Sequence, residues 1–242
     1  MVLSLLTHPP RQRDLPPVTE EDLEAFISTR TLEYSARLEE SFVTRALGLG
    51  VESGVILDVG TRVGLISLKL LWHNENFFAI GVDESKDMIE RARETAASWG
   101  LSERAFFQVG DARKLRLKSR YFDLVVSDGV FHRFDSPTAV LAEIGRVIKP
   151  RGALLIRDFR RPNRLRMSRL INQQTQAYGK LMRPQIEAAL RGAYTARELK
   201  PMLQRSGIEG ASIVELDVHH IAIERRGMTD PGSWVSAREQ YR

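Results

Sequence analysis

Short apolar runs alternate with amphipathic helical patterns through the middle of the chain, and this alternation constrains the fold more than any other feature. The runs at residues 55–57, 77–80, 124–126 and 153–156 have the length and composition of strands that are buried on both faces. Between them, as over residues 88–99, apolar side chains recur at helical spacing. The repeated alternation predicts an α/β fold with a doubly wound parallel sheet and right-handed crossover connections.

The two ends of the chain depart from this alternation. A helical stretch precedes the first strand, and a second helical stretch follows the fifth strand with no strand inside it. Two further apolar runs, at residues 212–216 and 220–224, are separated by only three residues, so we expect an antiparallel C-terminal hairpin. The predicted limits are 1–50 for an N-terminal helical cap, 51–227 for the main domain, 159–194 for a helical lid insertion within it, and 228–242 for a tail.

The positive charge of the chain is concentrated in one segment. The net charge is +5, and residues 157–169 alone carry six arginines against one aspartate, so the other residues sum to zero. A local cluster of this kind indicates a local partner or an anionic substrate. Contact with an RNA backbone is the second choice, because the cluster lacks the interleaved aromatic residues that stack on bases. A solvated helix face is the remaining alternative.

Composition excludes several classes of function. The absence of cysteine excludes disulfide frameworks, thiolate zinc sites and cysteine nucleophiles. No apolar run approaches the ~18 to 20 residues that span a bilayer, and the first residues lack the basic start of a signal peptide. His219 and His220 are adjacent in a predicted strand and face opposite sides, so we expect no shared metal. These observations favour a cytoplasmic protein without a metal.

A bend after the first strand has the composition of a ligand-binding loop. Residues 58–64 read D-V-G-T-R-V-G and lead into an amphipathic helix. Glycines let the backbone approach a ligand closely, and the first turn of the helix offers free N–H groups. A dinucleotide-binding loop would need glycine at positions 60, 62 and 65, and a phosphate loop would end in Gly-Lys-Ser or Gly-Lys-Thr. The chain has neither pattern.

Residues 58–64 instead resemble the first motif of class I S-adenosylmethionine-dependent methyltransferases, Asp/Glu-x-Gly-x-Gly-x-Gly. Further matches follow in the order of that family: I-G-V-D at residues 80–83, E-S-K-D-M at 84–88, V-G-D-A at 109–112 and I-K-P-R-G at 148–152. The resemblance implies a Rossmann-like sheet of seven strands. It also implies the cofactor S-adenosylmethionine and the product S-adenosylhomocysteine.

The resemblance further implies which residues hold the cofactor. Asp83, at the end of the second strand, would bind both ribose hydroxyls, since a carboxylate can accept two protons. Glu84 or Met88 would lie near the adenine, and Asp111 would meet its amino group. The complete predicted set is Asp58, Gly60, Thr61, Arg62, Gly64, Asp83, Glu84, Met88, Asp111, Ala112 and Ser127.

Arg62 departs from the family pattern, because it occupies the position of the middle glycine. Its side chain could obstruct the cofactor, which would favour a binding protein that keeps the fold without catalysis. Its guanidinium could instead pair with the methionine carboxylate of the cofactor, or it could point to solvent. We prefer the pairing with the carboxylate, because the residues on both sides of Arg62 keep the pattern.

The segment after the fourth strand is similar to the group that contains the ubiquinone and menaquinone biosynthesis methyltransferases. Residues 127–137 read S-D-G-V-F-H-R-F-D-S-P, where that group commonly has S-x-x-x-L-H-H-x-x-D-P. His132 would lie beyond the carboxyl end of the strand, where it could act as a general base or buttress a loop. The residues predicted to contact the acceptor are His132, Arg133, Arg160 and Tyr178.

The resemblance therefore implies methyl transfer to a small-molecule substrate, with anionic acceptors included. The alternatives are an RNA methyltransferase that uses the basic segment from Arg157 to Arg169, and the non-catalytic binding protein described above.

Overall fold

A computed structural model describes residues 7–12, 33–134 and 136–228, and these contain one sheet of seven strands. The strands are β1 (Gly54–Val59), β2 (Phe77–Asp83), β3 (Ala105–Val109), β4 (Phe122–Asp128), β5 (Ile148–Phe159), β6 (Ser212–Glu215) and β7 (His220–Arg225). They lie side by side in the order β3-β2-β1-β4-β5-β7-β6. Strands β1 to β5 are parallel, whereas β7 is antiparallel to both β5 and β6.

Seven α-helices and two short 3-10 helices occur in the part of the chain that the structure describes. The α-helices are α1 (Glu33–Leu47), α2 (Leu65–His73), α3 (Lys86–Ser98), α4 (Pro137–Val147), α5 (Arg164–Tyr178), α6 (Arg183–Gly192) and α7 (Ala196–Arg205), and the 3-10 helices are Phe131–Arg133 and Lys180–Met182. Local sequence fixes several helix starts. Ser85 accepts the N–H of Met88 before α3, and Thr195 and Glu198 form a capping box before α7.

Both faces of the sheet are buried, which explains why its central strands are continuously apolar. One face packs against α1, α2 and α3 through a core that includes Phe42, Leu68 and Ile89. The other face packs against α4 and α7, where Leu141 and Leu199 are almost inaccessible to solvent. Helices α5 and α6 form a small core of their own.

The structure confirms the predicted fold class, including the antiparallel C-terminal hairpin and the helical insertion after the fifth strand. Of the predicted cap, α1 and residues 7–12 are described, and residues 1–6 and 13–32 lie outside the described residues. The predicted tail lies outside them from residue 229 onward. The domain limits remain a prediction. None of the described helices is long and apolar enough to cross a lipid bilayer.

The strand order also determines where a ligand can bind. From β1 the chain moves outward to β2 and β3 on one side and then returns to β4 and β5 on the other. Loops at the carboxyl ends of β1 and β4 therefore diverge and leave a crevice, which is the usual ligand site of an open α/β sheet.

Candidate active site

The loop after β1 keeps the backbone shape that a glycine-rich motif requires. Gly60 and Gly64 have φ values of +74° and +79°, and a Cβ on Gly60 would lie 2.4 Å from the side chain of Val130. Arg62 has a φ of +52°, although it is not a glycine. A left-handed conformation costs such a residue about 1 to 3 kcal/mol. The loop therefore keeps the conformation of a middle glycine despite the arginine side chain.

Asp58, in strand β1, hydrogen bonds with the loop and with α2. Its Oδ2 atom accepts hydrogen bonds from the hydroxyls of Thr61 and Ser67, each at 2.8 Å. Burial raises the pKa of Asp58 to about 6, although the two hydroxyls and the charge of Arg62 partly oppose that shift. Asp58 therefore fixes the shape of the loop from a fully buried position.

Asp83 and Asp111, at the ends of β2 and β3, have different surroundings. The carboxylate of Asp83 is half-buried and accepts one backbone hydrogen bond on each oxygen. The N–H of Arg62 donates to Oδ2 at 2.9 Å, and the N–H of Ser85 donates to Oδ1 at 3.0 Å. Each oxygen keeps a lone pair for a further hydrogen bond. The carboxylate of Asp111 instead accepts the side chain and the backbone N–H of Arg113, which lowers the pKa of Asp111.

A cavity of about 190 Å³ begins beside the loop and extends between the carboxyl ends of β4 and β5 and helices α1, α5 and α6. Arg62 forms part of its wall, and the Nη2 atom of Arg62 donates to the carbonyl oxygen of Asp128 at 3.2 Å. The solvent-facing alternative for Arg62 is therefore wrong. Most of the remaining wall is apolar, and its apolar side chains include Leu38, Met88, Val130, Phe159, Met182, Ile186 and Ala189.

A buried ion pair lies in the wall of the cavity. Asp128 and Arg157 are paired residues of β4 and β5, and two parallel hydrogen bonds of 2.8 Å join their side chains. Arg157 also donates to the carbonyl oxygen of Leu38 and the hydroxyl of Ser41 in α1, and its guanidinium lies 4.9 Å from the ring centre of Phe42. This arginine therefore fastens α1 over the cavity.

A histidine–aspartate pair lies in the cavity wall. The Nδ1 atom of His132 is 2.8 Å from Oδ1 of Asp158, and the two side chains are only 6% and 7% exposed. The carboxylate also accepts the backbone N–H groups of His132 and Phe159. A carboxylate accepts hydrogen bonds, so the ring nitrogen beside it must donate one. We therefore assign the proton of the neutral ring to Nδ1, which leaves a lone pair on Nε2. No described residue hydrogen bonds with Nε2.

An N-terminal strap, which we define as residues 7–12, supports the same histidine. The side chain of Arg11 donates to the carbonyl oxygens of Gly192 and His132, and its guanidinium lies 4.2 Å from the ring centre of Tyr194. The backbone of the strap also hydrogen bonds with residues 164 and 191. The strap therefore ties the 3-10 helix that carries His132 to the end of α6.

Comparison with known proteins identifies the family. A profile described as "Methyltransferase domain" matches residues 51–207. This chain belongs to the class I S-adenosylmethionine-dependent methyltransferases. It is 30% identical to a demethylmenaquinone methyltransferase of Deinococcus radiodurans over 171 residues, which cover 63% of this chain and 68% of that protein. It is 31% identical to a ubiquinone/menaquinone biosynthesis C-methyltransferase of Desulfotalea psychrophila over 110 residues, which cover 46% of this chain and 43% of that protein.

A solved structure agrees with the fold. The S-adenosylmethionine-dependent methyltransferase of Aquifex aeolicus superimposes with a TM-score of 0.58 at 20% identity, covering 86% of this chain and 93% of that one. The family match over residues 51–207 shows that this methyltransferase is an enzyme and that S-adenosylmethionine is its cofactor. The left-handed loop and the available oxygens of Asp83 fit that cofactor.

The structure brings five of the predicted site residues to the cavity of the methyltransferase, namely Arg62, Met88, His132, Arg133 and Tyr178. Burial raises the pKa of the Tyr178 hydroxyl, so that group stays protonated at the cavity wall. Thr61 and Ser127 are buried among backbone and carboxylate partners, the hydroxyl of Ser127 donating to the carbonyl oxygen of Val59. The other predicted cofactor residues lie at the ends of β1, β2 and β3: Asp58, Gly60, Gly64, Asp83, Glu84, Asp111 and Ala112.

The six arginines of residues 157–169 do not form one surface. Three of them are paired with carboxylates, and among these Arg157 and Arg161 are buried, so a solvated helix face is the wrong description for both. Arg160 pairs with Glu215 of β6 at 2.7 Å and is not part of the cavity wall. Its role in acceptor binding remains a prediction. The exposed members are Arg164, Arg166 and Arg169.

Residues outside the predicted site also line the cavity. Four titratable ones among them are Asp128, Arg157, Asp158 and His220. Each is held by a partner that is distant in sequence or that belongs to a turn, and the glycine motif contains no signal for any of them.

Proposed function

We propose that this methyltransferase acts on a small acceptor with an ionisable hydroxyl group, which His132 deprotonates. The observation that carries the proposal is the His132–Asp158 pair in the wall of an apolar cavity that begins at the cofactor loop. An acceptor in this cavity would have its body among apolar side chains and its reacting oxygen near Nε2 of His132. A cavity of about 190 Å³ supports a compact molecule.

In this reaction, residues of the chain would bind the cofactor, accept a proton and exclude water. Asp83 would bind the ribose hydroxyls of the cofactor, and Arg62 would bind its methionine carboxylate. When bound, S-adenosylmethionine supplies a methyl group on a positively charged sulfur, and the sulfur is the leaving group when a hydroxyl oxygen in line with it bonds to the methyl carbon. His132 would accept the hydroxyl proton at Nε2, and the negative charge of Asp158 would stabilise the protonated ring. The apolar wall would exclude water from the reacting oxygen.

Anionic acceptors stay within the proposal, supported by Arg133 in the cavity wall. The three arginines of the wall are matched by three carboxylates, Glu39, Asp128 and Asp158, and Arg157 pairs with Asp128. A carboxylate beside the hydroxyl of the acceptor is therefore allowed by the proposal but not required by it.

The test is formation of S-adenosylhomocysteine when the protein is incubated with S-adenosylmethionine and single-ring hydroxyl acceptors, with phenol, salicylate and the dihydroxybenzenes as probes. His132→Gln should lower turnover of any accepted probe by about 10² to 10⁴, the usual contribution of general base catalysis. Binding of S-adenosylhomocysteine should be unchanged in this variant. His73→Gln is the matched control, because His73 also pairs with a carboxylate, Glu40 at 2.9 Å, but on the surface. Equal turnover in the two variants would refute the assignment of the base.

RNA is the second candidate acceptor, on one specific observation. Arg164, Arg166 and Arg169 are exposed on α5, and no described carboxylate pairs with them. A role for them in RNA binding predicts an affinity for a structured RNA that falls steeply with salt, and a shallower slope after all three are replaced by Gln. Binding that is absent at low salt would eliminate this candidate.

A further inference from the structure

The turn between β6 and β7 is built around a second aspartate–histidine pair. Oδ1 of Asp217 accepts the backbone N–H groups of His219 and His220 at 2.6 and 2.8 Å. Oδ2 of the same carboxylate lies 2.9 Å from Nδ1 of His220. Burial alone would raise the pKa of Asp217, but the hydrogen bonds and charge of His220 and the N–H of His219 hold that pKa well below its usual range. The carboxylate is therefore ionised and orients the ring.

The ring of His220 is fixed on a second side by an aromatic neighbour. It is buried and stacks on Phe159 with a distance of 5.4 Å between ring centres and an angle of 21° between planes. With Nδ1 committed to Asp217, Nε2 is the ring atom that remains for a ligand. No hydrogen-bonding partner for it is found within residues 7–12, 33–134 and 136–228.

This pair repeats the arrangement of His132 and Asp158. Each carboxylate accepts hydrogen bonds from two backbone N–H groups and contacts the Nδ1 atom of one imidazole. Both imidazoles line the same cavity. Phe159 joins the two pairs, because its backbone N–H donates to Asp158 and its ring packs on His220. The cavity therefore presents two oriented imidazoles, of which the proposed reaction uses one.

The size and lining of the cavity restrict what can contact both imidazoles. An apolar cavity of about 150 Å³ accommodates a benzene ring, and this cavity measures about 190 Å³. A hydroxyl group both donates and accepts hydrogen bonds, so it can pair with Nε2 of either a neutral or a protonated imidazole. One six-membered ring with two small polar substituents satisfies these conditions.

We propose that His220, oriented by Asp217, is a specificity-determining residue that binds a second hydroxyl of the acceptor, while His132 contacts the hydroxyl that is methylated. The acceptor class is then compact dihydroxylated molecules. This inference rests on the proposed function for the role of His132. The preference for a second hydroxyl can nevertheless be measured by binding, without turnover.

The experiment measures the affinity of phenol and of the three dihydroxybenzenes for the full chain saturated with S-adenosylhomocysteine, by calorimetry. The dihydroxybenzenes scan the distance between the two hydroxyls. At least one of them should bind about tenfold or more tightly than phenol. His220→Phe keeps the stacking on Phe159 and removes Nε2, so it should abolish this preference.

Three further variants keep the test decisive. His219→Phe alters the neighbouring ring, which is not part of the cavity wall, and should retain the preference. If His220→Phe does not fold, His220→Gln should reduce the preference and Asp217→Asn should weaken it, since the ring loses its anchor. Equal binding of phenol and all three dihydroxybenzenes, no binding of any of them, or a preference that survives at His220→Phe would overturn the inference.

The two proposals fail in different ways. A preference that depends on His220 without any methyl transfer would refute the proposed function and leave the assignment of His220 standing. Methyl transfer that depends on His132 but shows no preference for a second hydroxyl would refute only the assignment of His220.

Discussion

The two halves of the carboxyl edge of the sheet hold their carboxylates in different ways. At the ends of β1 and β2, Asp58 and Asp83 accept hydrogen bonds from hydroxyls and backbone N–H groups, and no described cation pairs with Asp83. At the ends of β4, β5 and β7, the carboxylates of Asp128, Asp158 and Asp217 bind a guanidinium or an imidazole.

This difference separates ligand binding from the construction of the site. A carboxylate held only by backbone donors keeps lone pairs for a ligand, so one substitution there should act directly on cofactor affinity. A carboxylate that binds a cationic or ring partner presents that partner to the cavity instead. Substitutions in the acceptor half, by which we mean the ends of β4, β5 and β7, should therefore act through pairs.

The largest effect is expected at the buried pair of Asp128 and Arg157. Arg157→Met leaves an uncompensated carboxylate and releases α1, so it should destabilise the protein by about 3 to 5 kcal/mol. The double variant Asp128→Leu/Arg157→Met should recover much of that loss. Urea denaturation measures both changes. Arg160→Met breaks a partly exposed pair with Glu215 and should cost less than about 1 kcal/mol. Equal losses for Arg157→Met and Arg160→Met would remove the contrast between buried and exposed pairs.

The pH dependence of stability should reveal Asp58. Its folded-state pKa of about 6 lies above its ordinary value of 3.8, so its contribution to stability is complete at pH values below 3.8 and is lost as the pH rises through about 6. Asp58→Asn should remove this loss. The variant should gain on the order of 3 kcal/mol over the wild type between about pH 4 and pH 7. Urea denaturation across that range measures it, and a constant difference between the two proteins would contradict the prediction.

The direct effect on cofactor affinity is expected at Asp83. Asp83→Ala removes the charged acceptor of two hydroxyl hydrogen bonds and should weaken binding of S-adenosylhomocysteine by about 1.5 to 3 kcal/mol, measured by calorimetry. Asp111→Ala is the comparison, because Asp111 is already paired with Arg113 and should contribute less. An unchanged affinity after Asp83→Ala would count against the ribose site.

The smallest effect should come from Arg62, and its sign separates the two remaining interpretations. If Arg62 binds the methionine carboxylate, Arg62→Gly should weaken binding of S-adenosylhomocysteine by about tenfold, roughly 1.4 kcal/mol, in calorimetric titrations. 5′-Methylthioadenosine has no carboxylate, so its affinity should change little. Tighter binding of S-adenosylhomocysteine to the variant would instead show that Arg62 obstructs the site.

The cofactor half, by which we mean the ends of β1 and β2, could be predicted from the sequence, because the residues that determine it are close together in the chain. Residues 58–64 and Asp83 lie in strand–loop segments whose spacing is set by the ends of adjacent parallel strands. The conformation of Arg62 was not predictable, since a left-handed arginine has no compositional signal. Only its location in the motif marked it as unusual.

The acceptor half depends on contacts that the sequence does not indicate. His132 and Asp158 are 26 residues apart, and they meet because β4 and β5 end at the same edge. Counting arginines in residues 157–169 could not distinguish the buried Arg157 from its exposed neighbours, because its partner Asp128 is set by strand register. His220 had a local signal that could have been used, an aspartate three residues earlier in the turn of a hairpin.

The strap formed by residues 7–12 affects how the site is completed during synthesis. Arg11 is synthesised before its partners, and one of its carbonyl partners belongs to Gly192, which is made 181 residues later. The segment around His132 therefore reaches its final tethered form only after Gly192 has been translated.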